Sequence, residues 1–139
     1  MKISSGFDGG NIICTSISAP QDIRLEIRPD NQSDFYQWFY FRLTGAKNKD
    51  CQLHLVNAKG AAYPGGWENY SAVASYDRNN WFRVPADYDG ECLTIRHKPT
   101  RNAVYYAYFA PYSMERHADL IARCVASGLA DLVVPGQTL

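Results

Sequence analysis

The sequence predicts an all-β domain, an antiparallel β-sandwich of about eight short strands, followed by a C-terminal helix and a short further strand. Three observations carry this reading. Apolar residues recur at every second position in short runs between residues 11 and 110. Clusters of Gly, Pro, Asn and Asp separate those runs. From Ser113 onward the apolar spacing becomes helical.

Residues 11–18 and 23–28 form the first two expected strands, on either side of Pro20. In the second, Ile23, Leu25 and Ile27 share one face while Arg24, Glu26 and Arg28 share the other. Residues 29–34 are turn-forming by type. The run 36–43 places Phe39, Phe41 and Leu43 on one face and Trp38, Tyr40 and Arg42 on the opposite one. Both faces are apolar, as in a strand covered on each side.

Residues 51–57 alternate again, with Leu53 and Leu55 inward and Gln52 and His54 outward. A loop at 58–71 contains Tyr63-Pro64-Gly65-Gly66-Trp67, and Trp67 and Tyr70 fall outside the alternating strand pattern. Strands at 72–76, 81–84, 91–98 and 104–110 complete the set. Trp38, Phe39, Phe41, Ile95 and Phe109 are the expected core. Ser113 is a good helix N-cap with Glu115 in the first turn, where the helix dipole favours an anion. Met114, His117, Ala118, Ile121 and Val125 make one apolar stripe, and Gly128 suits the helix C-terminus. Asp131-Leu132-Val133-Val134 reads as the start of another strand.

Composition narrows the function. The chain has 139 residues, 46% hydrophobic and 14% aromatic, with 14 basic and 14 acidic residues and zero formal charge. It lacks the basic face of a nucleic-acid binder, and no apolar run approaches the roughly 20 residues of a membrane span. The N-terminus has no signal-peptide core. The four cysteines, Cys14, Cys51, Cys92 and Cys124, are scattered without a C-x-x-C pair. They read as small buried thiols rather than disulfides or a zinc site, which points to a cytoplasmic protein.

Catalytic patterns are absent. None of His54, His97 and His117 opens a His-x-x-Glu or His-Glu-x-x-His spacing. His117 reads as a packing or interface residue, and His54 and His97 as surface-facing strand residues. Asp87-Tyr88-Asp89-Gly90 lacks the later ligands of a calcium loop and reads as a turn. Asp8-Gly9-Gly10-Asn11 and Asp77-Arg78-Asn79-Asn80 read likewise. No catalytic residue and no metal ligand is assigned.

A series of motifs does resemble a known family. Phe7-Asp8-Gly9-Gly10-Asn11-Ile12, Trp38-Phe39-Tyr40-Phe41-Arg42, Asn57-x-Lys59, Gly66-Trp67-x-x-Tyr70-Ser71, Trp81-Phe82-Arg83 and Tyr108-Phe109-Ala110-Pro111-Tyr112-Ser113 appear in order. Together they resemble the N-terminal β-sandwich domain of the cytosolic carboxypeptidases, a branch of the carboxypeptidase A-like zinc metallocarboxypeptidases. The resemblance implies that residues 1–112 form this domain and that 113–139 are the first helix and strand of a truncated catalytic domain. It implies a parent hydrolase that removes C-terminal amino acids by proteolysis, with zinc in that catalytic domain and no cofactor in this chain.

The partner implied is the catalytic domain of the same polypeptide, with no nucleic acid and no membrane. Tyr63, Trp67, Tyr70, Pro111, Tyr112, Met114, His117, Ile121 and Val125 are the expected interface. In an isolated fragment that surface would be covered by self-association, by neighbouring molecules or by the tail folding back. The rival reading is a free-standing carbohydrate- or ligand-binding module using Tyr63, Trp67 and Tyr70.

Overall fold

A computed structural model describes residues 1–128. The strands are β1 (Lys2–Ser4), β2 (Ile13–Ala19), β3 (Asp22–Glu26), β4 (Tyr40–Thr44), β5 (Cys51–Leu55), β6 (Ser71–Ser75), β7 (Phe82–Tyr88), β8 (Leu93–His97) and β9 (Ala103–Ala107). One helix, α1 (Met114–Ala126), follows. The expected strand at 131–134 lies outside the described residues.

The fold is mostly β, as expected, but the architecture corrects the antiparallel sandwich. The nine strands form one mixed sheet in the order β1-β4-β9-β6-β7-β8-β5-β3-β2, nearly closed into a barrel-like shape. β3 and β5 run parallel, with Ile23 opposite Leu53 and Leu25 opposite Leu55. Alternation reports which face a residue occupies and is silent about which strand lies beside it. β7 joins the two halves. Its residues from Phe82 to Pro85 pair with β6, and those from Ala86 to Tyr88 pair with β8. Pro85, which can donate no ladder bond, sits where the strand changes partner.

The strand phases are those expected. Ile23, Leu25, Phe41, Leu43, Leu53, Leu55, Leu93 and Ile95 are fully enclosed. Phe39, just before β4, joins them. Two expected core residues do not. Trp38 packs in a second layer on the outer face with Phe7, Tyr40, Trp81 and Tyr105, and Phe109 is 56% exposed. Both follow from parity. Trp38 is in phase with Tyr40, and Phe109 with Tyr105, whereas Val104 and Tyr106 point inward. β1 was not anticipated, because a three-residue strand offers no periodicity. It pairs Ile3 with Leu43 at the sheet edge.

The turns read from residue type hold. Asp89 Oδ1 accepts the Glu91 and Cys92 amides at 2.9 and 2.8 Å, and Gly90 takes φ +95°. Asp77 Oδ1 accepts the Asn79 and Asn80 amides. Helix α1 is capped as expected, with Ser113 Oγ accepting the Arg116 amide at 3.2 Å and Gly128 at φ +70° beyond its end. Of the cysteines, Cys51 is buried and Cys92 half-buried, whereas Cys14 and Cys124 are exposed, so the all-buried reading fails for two of four.

Candidate interface at the helix-bearing end of the barrel

The start of β4, the end of β9 and the start of β6 meet at one end of the barrel, because β9 runs antiparallel to both neighbours. The 58–71 loop closes that end. Its two 3₁₀ turns, Ala58–Gly60 and Pro64–Trp67, fold the loop back so that Trp67 points inward. Trp67 is 1% exposed, against the expectation that it lies outside the core. Its indole N–H donates to the Ala58 carbonyl at 2.9 Å. Tyr70 and Tyr108 meet it edge-on at 5.4 and 5.5 Å between centroids.

Tyr70 is half-buried, and its hydroxyl donates to the Tyr108 carbonyl at 2.6 Å. Burial pushes that phenol well above its ordinary range. Tyr63 alone of the three rings is largely open, at 66% exposure. Its ring lies so close over Gly66 that a Cβ there would come within 2.6 Å of it. The Gly65-Gly66 pair was the available signal, since it permits the close approach that turns Trp67 inward. A planar three-ring sugar platform is not what this loop presents.

The chain leaves the barrel through Phe109 and the Pro111-Tyr112 corner. Phe109 packs against Trp38 with the rings tilted by 56° and their centroids 4.9 Å apart. Tyr112 is exposed, lies 6.2 Å from the His117 ring and has the Arg116 guanidinium over its face. Met114 and Val125 are exposed, and Pro111, His117 and Ile121 are half-buried. The structure therefore brings Tyr112, Met114, His117, Ile121 and Val125 onto one arm. It withdraws Trp67 and most of Tyr70 into the barrel.

A cleft of about 840 Å³ separates α1 from the outer aromatic layer. From the barrel it is lined by Asp8, Tyr40, Asp77, Arg78, Asn79 and Trp81. From the helix it is lined by Glu115, Arg116, Asp119, Ala122 and Arg123. Arg78 sits at φ +66°, donates from Nε to the Tyr40 hydroxyl at 3.0 Å and lies over the Phe7 and Tyr105 rings. Hydrogen bonds from Asn80 and Asn79 hold the Asp77 carboxyl far below the usual carboxylate range. Among the described residues no ion pair spans the cleft.

Zinc does not fit these residues. His54 is engaged with Thr94 and Gln21, and His97 with the Tyr106 hydroxyl at 2.9 Å, while His117 stands apart on α1. Among the described residues no three His, Cys, Asp or Glu side chains come together as a metal site. His97 also departs from its expected surface position. Its ring is half-buried among Tyr76, Phe82 and Tyr106, and burial pushes its pKa down.

Comparison with known proteins agrees with the motif series. The cytosolic carboxypeptidase N-terminal domain profile matches residues 3–109. An uncharacterized protein of Zymomonas mobilis subsp. mobilis is 48% identical over the whole chain, which covers 36% of that protein. A metallo-carboxypeptidase from Burkholderia cenocepacia superposes with a TM-score of 0.86 at 54% identity, over 88% of this chain and 32% of its own. A metallo-carboxypeptidase from Pseudomonas aeruginosa, solved in complex with (2-guanidinoethylmercapto)succinic acid, gives 0.87 at 46% identity, over 91% and 34%. The chain thus spans about a third of the length of these relatives. No helix among the described residues is long and apolar enough to cross a membrane. By its sequence and its fold, the chain belongs to the cytosolic carboxypeptidase N-terminal domain family.

Proposed function

We propose that this chain is the non-catalytic N-terminal domain of a cytoplasmic zinc metallocarboxypeptidase that removes C-terminal amino acids from peptides or proteins. Residues 1–112 are the domain proper, and 113–139 open the catalytic domain on which it packs and whose active-site mouth it helps to shape. The observation that carries this reading is the close match to metallo-carboxypeptidases over nearly all of this chain but only a third of theirs. The zinc would polarise the scissile carbonyl and activate water in the catalytic domain. The described residues here offer no donor set for it, and no step of the chemistry is assigned to them. The rival carbohydrate module loses its central platform with Trp67 inside the barrel.

The test compares the full gene product with the 139-residue chain. The full product is expected to hold one zinc and to release amino acids from a peptide panel, and the chain to do neither. Tight stoichiometric zinc on the chain, or release of amino acids by it, overturns the reading. So does a full product with neither property, or a soluble sugar that binds the chain and loses affinity on Tyr63→Ala.

A further inference from the structure

The cleft between α1 and the outer aromatic layer carries charges that no described residue pairs. Asp8 on the barrel side and Glu115 and Asp119 on the helix side line it, and so do Arg78, Arg116 and Arg123. Among the described residues none of these six belongs to an ion pair. Asp77 lines the cleft as well, but its carboxylate is consumed by its own turn, where it accepts from Ser75, Asn79 and Asn80. Three free carboxylates therefore share one space with three free guanidiniums. Neither a polyanion nor a polycation suits such walls, since each would meet as much like charge as opposite charge. A small molecule with one charge of each sign does suit them.

Arg78 is the fixed point of the cleft. Its backbone sits at φ +66°, in the left-handed region that an arginine rarely adopts. Its amide donates to Ser75 Oγ at 2.8 Å, and its Nε to the Tyr40 hydroxyl at 3.0 Å. The guanidinium lies 6.0 and 5.7 Å from the Phe7 and Tyr105 ring centroids. These contacts hold a side chain that is ordinarily mobile, and among the described residues they leave its two Nη nitrogens without a partner. That fork matches a carboxylate. The Trp81 ring lines the cleft beside it, its indole N–H donating to the Arg78 carbonyl at 3.2 Å. The volume, about 840 Å³, is that of a small-molecule site.

We propose that this cleft binds a zwitterion made of a free α-carboxylate and an ammonium group, as in a free amino acid or a very short peptide. The carboxylate sits on the Arg78 fork, the ammonium among Asp8, Glu115 and Asp119, and an apolar side chain against Trp81. The recognition chemistry stands on the cleft alone. That such a ligand is the kind of molecule a carboxypeptidase releases rests on the function proposed above.

The tryptophan indole N–H signals of the 139-residue chain give the readout by NMR. Trp81 is bonded to Arg78, Trp38 to Gly9, and Trp67 to Ala58 inside the barrel. At fixed ionic strength phenylalanine is expected to shift the Trp81 signal saturably, with a Kd of about 1 mM, and to leave Trp67 in place. N-acetylphenylalanine and phenylalaninamide each lack one of the two charges and should bind about tenfold or more weakly. Arg78→Gln should abolish the response, and Asp119→Asn should weaken it. The Trp67 signal shows whether a variant is folded. If Arg78→Gln loses that signal, Arg78→Lys, which keeps the charge but not the fork, replaces it and should also bind weakly. A phenylalanyl-alanine dipeptide that binds more tightly than phenylalanine supports the site and names a short peptide as its ligand; one that binds more weakly supports it and names the free amino acid. No saturable Trp81 shift by about 20 mM phenylalanine overturns the proposal. Equal binding of the two blocked analogues, a matching shift from inorganic phosphate, or a full response in the Arg78 variant also overturns it. Phenylalanine binding by the chain beside an inactive full gene product removes the parent reading and keeps the site. An active full product whose 139-residue chain binds no phenylalanine removes only the site.

Discussion

The 58–71 loop and the arm that begins at Pro111 both extend from the same end of the barrel, the loop carrying Tyr63, Trp67 and Tyr70 and the arm carrying Tyr112 beside an apolar helix stripe. The loop delivers Trp67 into the core, where the Ala58 carbonyl satisfies its N–H. The arm leaves Tyr112 and Met114 bare. The loop is anchored at both ends by strands of one barrel and has a polar partner waiting inside. Among the described residues the arm is tied to the barrel at its start, and no side chain of its helix is buried. Aromatic content therefore says little about which of two segments stays exposed, while the presence of a buried acceptor for a ring's polar atom says much.

Substitutions in the two regions should separate by their effect on folding. Trp67→Ala should lower the stability of the chain by about 3–5 kcal/mol, through lost burial and the cavity left behind. Trp67→Phe should cost about 1–3 kcal/mol, mainly the stranded Ala58 carbonyl. Denaturant melts in which either variant matches the parent would return Trp67 to the surface. Phe41→Ala, in the strand face that alternation identified, should also cost about 3–5 kcal/mol. A near-zero shift there would show that the phase of β4 is wrong.

The arm should respond more weakly. Ser113→Ala removes the cap on the Arg116 amide and should lower helix stability by about 1 kcal/mol. That loss should be visible in the far-ultraviolet helix signal while the barrel melt stays in place. Val125→Ala, on the exposed stripe, should change the stability of the isolated chain by less than about 0.5 kcal/mol. A large effect from Val125→Ala would mean that the chain covers its own stripe.

The barrel should also carry a pH response at His97. Burial lowers the pKa of His97 in the folded chain, whereas in the unfolded chain it titrates near 6.5. Below that value the unfolded chain binds the extra proton first. The His97 contribution is therefore fully present above about pH 6.5 and is lost as the pH falls towards the lowered folded value. His97→Gln should flatten this part of the stability profile. An unchanged slope would place the titration elsewhere.

Much of the barrel could be read before its shape was known. The alternation of Phe39, Phe41 and Leu43, of Leu53 and Leu55, and of Ile23 and Leu25 identified core faces that are fully enclosed. Extending the same count would have sent Phe109 outward with Tyr105. The helix cap, its first-turn acid and its glycine end were legible because they are local hydrogen-bonding and φ requirements. The candidate interface was legible only in part. The arm residues were identifiable by helical spacing, but Trp67 was misplaced because a loop's inward turn depends on partners distant in sequence.

The sequence by itself determined most of the strand faces, the turns at Asp77 and Asp89 and the capped helix, since each rests on residues near one another in the chain, and the family, since six short motifs follow one another in order along it. The tertiary structure alone decided the parallel pairing of β3 with β5, the change of partner at Pro85 and the burial of Trp67. It also decided which way α1 faces. Those outcomes depend on which surfaces meet across long loops, and local alternation carries no record of a neighbour brought in from 30 residues away.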